Sequence, residues 1–134
     1  MQLRTMQIIA GMMLVSASWP VMAHHAFAAE FDVQLPVSLT GTVTRVEMIN
    51  PHSWIHIEVT DDSGETIVWM IEGGSPNSLY RVGITRDSVP IGSELIVNGY
   101  QARDRTNRAV GRDIMFADGR PLFFGTGRVP DGVK

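Results

Sequence analysis

The sequence contains no cysteine. That excludes disulfide staples, thiolate metal sites and a lipid-modified leader, each of which needs the thiol. Lys134 is the only lysine, and the other ten basic residues are arginines. The paired glycines Gly73-Gly74 have no lysine after them and lack the strand-to-helix spacing of a phosphate-cradling loop. No apolar run reaches the roughly 20 residues that a spanning helix requires. No internal repeat and no low-complexity tract interrupts the chain. Basic charge is not in excess either: the formal net charge is -3. Nothing in that balance favours a nucleic-acid or membrane surface.

What is present begins with a leader. The first 23 residues, MQLRTMQIIAGMMLVSASWPVMA, place Arg4 ahead of an apolar run from Met6 to about Ala17. Trp19 and Pro20 break the run, and Val21 and Ala23 occupy the small-residue positions before a cut. This is the layout of a cleavable export signal, with the periplasm as the expected compartment and no membrane anchor after cleavage. A second cut site after Ala28 is compatible with Ala26 and Ala28. Cleavage after Ala23 leaves 111 residues with ten basic and fourteen acidic groups, and it removes five of the eight methionines. A chain of that length is one domain with a single core.

The expected organisation is a signal peptide (1–23), an N-terminal arm (24–36), a barrel domain (37–125) and a C-terminal tail (126–134). Residues 37–49 are β-branched, with Gly41 marking a bend or bulge, and Asn50-Pro51 is a turn signal. Residues 53–60 alternate, with Ile55, Ile57 and Val59 on one face and Trp54, His56 and Glu58 on the other. Residues 66–72 form a third strand. Ser75 then caps a short helix over 75–83, with Pro76 in its first position, Leu79 and Val82 on one side and Gly83 at its end. Strands over 94–102 and 113–119 follow, separated by an arginine-rich loop over 103–112. The predicted class is all-β with small α content: a five-stranded OB-like Greek-key barrel with one short helix between strands three and four. Closure hides the strand edges that five open strands would present. An open β-sandwich is the competing arrangement.

The four histidines fall in two groups, His24 with His25 and His52 with His56. A cut after Ala23 gives His24 a free α-amino group, and that amine and its own ring can chelate one ion. His52, in the turn, is the candidate third nitrogen donor, and this ligand set suits Cu(II). His25 and His56 are reserves, although adjacent residues on an extended arm face opposite sides. Glu47 and Glu72 are candidates to orient a ligating imidazole. The competing reading makes His24 and His25 a solvated end, His52 a turn residue and the two glutamates strand-face acids. Phe27 and Phe31 count against a frayed arm, because they give it something to bury.

Catalytic patterns are weak. Ser53 beside His52 is adjacency in sequence and not nucleophile–base geometry. Glu58 and Glu72 define no pocket. No catalytic residue is assigned, and a binding role is expected over an enzymatic one. OB barrels often bind single strands, and Arg103, Arg105, Arg108 and Arg112 with Trp54 or Tyr100 offer phosphate and stacking partners. The export signal, the acidic balance and the intervening Asp104 and neighbouring Asp113 argue against a nucleic-acid partner. The alternative to copper is a metal-free OB-type domain that docks a periplasmic protein or small ligand.

The segments AHHAFAAEFD (23–32), GTVTRVEMINPHSWIHIEV (41–59), WMIEGGSPNSLYRVG (69–83) and IGSELIVNGYQARD (91–104) carry a resemblance. Together they resemble an uncharacterised exported bacterial family, domain of unknown function 6152. The resemblance implies a small periplasmic β-barrel and no established activity. Its pattern falls on His24, His25, Glu47, Asn50, Pro51, His52, Trp54, Glu72, Ser75, Pro76, Asn77 and Leu79. At Ile84-Thr85 the chain departs from the Gly-Trp-Thr stretch expected there.

Overall fold

The computed structural model describes residues 29–125. Five strands close into a barrel in the order β1-β2-β3-β5-β4. They are β1 (Phe31–Ile49), β2 (His52–Thr60), β3 (Thr66–Glu72), β4 (Glu94–Ala102) and β5 (Arg108–Phe116). One helix, α1 (Pro76–Arg81), and a 3-10 turn (Arg86–Ser88) join β3 to β4. The predicted barrel with one helix between strands three and four is present, and the open sandwich is not.

The barrel depends on the length of β1, which pairs with β4 through its first half and with β2 through its second. Thr42 is the pivot, opposite Glu94 on one side and Glu58 on the other. Gly41 permits the sharp bend there, since a Cβ on it would lie 2.6 Å from the Glu58 carbonyl oxygen. A bulge between Val43 and Arg45 completes the turn of direction. The strand begins at Phe31, six residues before the β-branched run that announces it. A register shift between Phe31 and Pro36 lets the chain pass Pro36, which has no N–H to give a ladder. Residues 24–28 of the predicted arm, and the tail from 126, lie outside the described residues.

β5 is displaced from its predicted span of 113–119. It starts at Arg108 because Ala109, Val110 and Gly111 are buried between the half-buried Arg108 and the exposed Arg112. A register shift puts Gly99 opposite Gly111 and Asn98 opposite Asp113, so Arg112 is the extra residue of a bulge. The strand stops at Phe116 because Gly119, with a φ of 87°, turns the chain and Phe116 N–H donates to the Arg120 carbonyl. The arginine loop therefore shrinks to residues 103–107.

Ser75 caps α1 by accepting from Ser78 N–H, with Pro76 in the first turn as expected. Leu79 is fully buried and closes one end of the core, whereas Val82 at the C-cap is half exposed. Val43, Ile55, Ile57, Ile71, Leu95, Val97 and Phe124 fill the interior. Each such side chain contributes on the order of 1.5–3 kcal/mol by leaving water.

Candidate functional site

The site is built on the outer surface of β1, β2 and β3, next to the Asn50-Pro51 turn. Ile49 and His52 face one another across that turn, which holds a cis bond before Pro51. From His52 the side chains of β2 alternate, so Ile55 and Ile57 enter the core and His52, Trp54 and His56 face outward. Pairing sets their neighbours. Trp54 lies between Glu47 of β1 and Glu72 of β3, and His56 lies between Arg45 and Met70.

Two clusters result. In the first, His52 Nδ1 contacts Glu72 Oε1. The Glu72 side chain is 7% exposed and the His52 ring 40% exposed, so a sheltered carboxylate grips an accessible imidazole. Asn50, in the turn beside them, is exposed. In the second, Arg45 Nη2 lies 2.5 Å from Glu47 Oε1, and the same oxygen is 3.6 Å from His56 Nε2. That ring nitrogen is buried and has no hydrogen-bond partner among the described residues. Burial lowers the His56 pKa, the charge of Glu47 opposes the shift and Arg45 adds to it.

His52 and His56 are four residues apart on one strand, a separation of about 13 Å along the backbone. They belong to separate clusters and cannot share one ion. The two glutamates divide in the same way, Glu72 with His52 and Glu47 with His56. Trp54 separates the clusters. His24 and His25 lie outside the described residues. Among the described residues, no group of three His, Asp or Glu side chains is arranged to hold a metal. Sequence reasoning omitted Arg45, whose position two residues before Glu47 on the outward face of β1 was the available signal.

On the opposite side of the barrel, Pro36, Val37, Asn98, Tyr100 and Arg112 line an open groove of about 450 Å³. Arg112 Nη1 donates to Tyr100 Oη at 2.9 Å there.

A closed five-stranded barrel in 1-2-3-5-4 order, with a helix between β3 and β4, defines an OB-like domain. The chain belongs to the family of unknown function DUF6152, which matches residues 11–111. No curated protein matches it. Among solved structures, it is similar to the mitochondrial single-stranded DNA binding protein Rim1 from S. cerevisiae. The identity is 15% and the TM-score 0.47, over 63% of this chain and 94% of that one.

Proposed function

We propose that the protein is an exported periplasmic binding module that holds copper through His24 and His52. In this reading, leader cleavage after Ala23 creates a terminal amine on His24, and amine and ring together supply two nitrogens. His52 supplies the third, a donor set suited to Cu(II). The observation that carries the reading is the His52–Glu72 pair. A carboxylate on one ring nitrogen is the usual partner of a metal-ligating imidazole, and the His52 side chain here is still 40% exposed. His52 opens β2, and its backbone is held by pairing with Ile49.

The test uses the full chain expressed with its own leader and recovered as the cell processes it. Mass spectrometry establishes that the N-terminus is His24, and Cu(II) is then titrated in. Affinity is expected to fall in His52→Ala and in a variant carrying one additional residue before His24. Equal affinity in all three proteins overturns the reading, as does a native N-terminus after Ala28, which removes both His24 and His25.

A further inference from the structure

We infer that Glu72 is a positioning residue that fixes the proton of the neutral His52 ring on Nδ1 and reserves Nε2 for a ligand. The inference deepens the copper reading and rests on it for the identity of that ligand. Its structural basis is the asymmetry of the pair. Glu72 is held twice over by backbone pairing, opposite Trp54 of β2 and opposite Val110 of β5. The ladder continues directly beyond it, since Gly73 N–H donates to the Ser53 carbonyl and Ser53 N–H to the Gly74 carbonyl, each at 2.8 Å. The carboxylate therefore sits on backbone anchored from both neighbouring strands, with its side chain 7% exposed. His52, by contrast, begins its strand next to an exposed turn.

The direction of the hydrogen bond follows from chemistry. A carboxylate can only accept, whereas a neutral imidazole carries one N–H and one lone pair. Contact at Nδ1 thus selects the tautomer with the proton on Nδ1, and the lone pair falls to Nε2. The glutamate also restrains the ring's freedom to rotate, a service an outer carboxylate gives a ligating histidine. Glu47 belongs to the other cluster, with its Oε1 beside Arg45 and His56.

The experiment reads the tautomer directly, in metal-free protein. The exported chain is labelled with nitrogen-15, and the His52 ring is observed by long-range proton–nitrogen correlation near pH 8, above the ordinary imidazole range. Wild type is expected to show a protonated Nδ1 and a bare Nε2. Glu72→Ala is expected to lose that preference. Glu72→Gln keeps the side-chain volume but both donates and accepts, so a mixture of tautomers is expected and the fold is retained. Copper titration of the same proteins is expected to show a loss of about 10–100-fold in Glu72→Ala. A protonated Nε2 in wild type overturns the inference whatever the copper affinity, as does an unchanged pattern in both variants. If the tautomers behave as expected but copper affinity is the same in wild type, His52→Ala and Glu72→Ala, the copper reading falls and the positioning role stands.

Discussion

Replacing Gly73 by alanine tests how the end of β3 is held. Gly73 follows Glu72, and a Cβ there would lie 2.2 Å from the Phe124 carbonyl oxygen and 2.3 Å from its ring. Space is the constraint, because one of the two colliding groups is backbone and cannot swing away. The segment carrying Phe124 must therefore lift from the strand. Phe124 is 1% exposed, so releasing its ring costs about 1.5–3 kcal/mol. The Gly74 N–H bond to the Phe124 carbonyl goes with it, at about 0.5–1.5 kcal/mol. A total loss of about 2–4.5 kcal/mol is expected, which for a domain of this size lowers Tm by roughly 10–30 °C. Urea and thermal unfolding followed by circular dichroism supply the measurement. Phe124→Ala removes the ring contacts but leaves the carbonyl, so Gly73→Ala should cost less in that background while retaining a residual penalty. A loss below about 1 kcal/mol for the single substitution would refute the close approach that underlies this estimate.

Three further outcomes are expected. Ile57→Ala empties a fully buried site and should lower unfolding free energy by about 2–5 kcal/mol in denaturant titration, with the fold retained. Burial holds the His56 pKa below its ordinary value, so the folded state favours the neutral ring. The unfolded chain then binds the proton more readily, and stability should decline as pH falls through about 6.5, a slope that His56→Gln flattens. At Asp104, hydrogen bonds from the Thr106 hydroxyl and backbone, aided by Arg108, lower the carboxyl pKa. Its stabilising contribution is present above the ordinary carboxylate range and is lost as pH falls through the depressed folded value. Asp104→Asn should remove that dependence from acid titrations of stability.

The strand alternation of residues 53–60 was enough to assign Ile55 and Ile57 to the core and His56 to the outer surface, because a half-buried strand writes its two faces into the sequence. Ser75-Pro76 likewise announced α1, since capping is a local interaction. β5 was misplaced because its bulge depends on which strand lies opposite, and Arg112 looks like a loop residue until Gly99 is known to face Gly111. The same limit applies to the site. His52, Glu47 and Glu72 were identifiable as candidates by residue type. Only the register across three strands shows that Glu72 serves His52 and Glu47 serves His56.

The seam between β3 and β5 closes the barrel with three paired positions, Met70 with Arg108, Ile71 with Ala109 and Glu72 with Val110. Every other seam has seven or eight. Glu72 is the last rung of this shortest ladder, so the carboxylate of the site and the latch of the barrel are one residue. Brief local opening favours regions with the fewest rungs, and amide exchange reports it. Whatever fastens the His52 ring also fastens Glu72, so occupancy at the imidazole would slow exchange at Met70–Glu72 and in the facing stretch of β5. A ligand outside the barrel would thus act as the pin that keeps it shut.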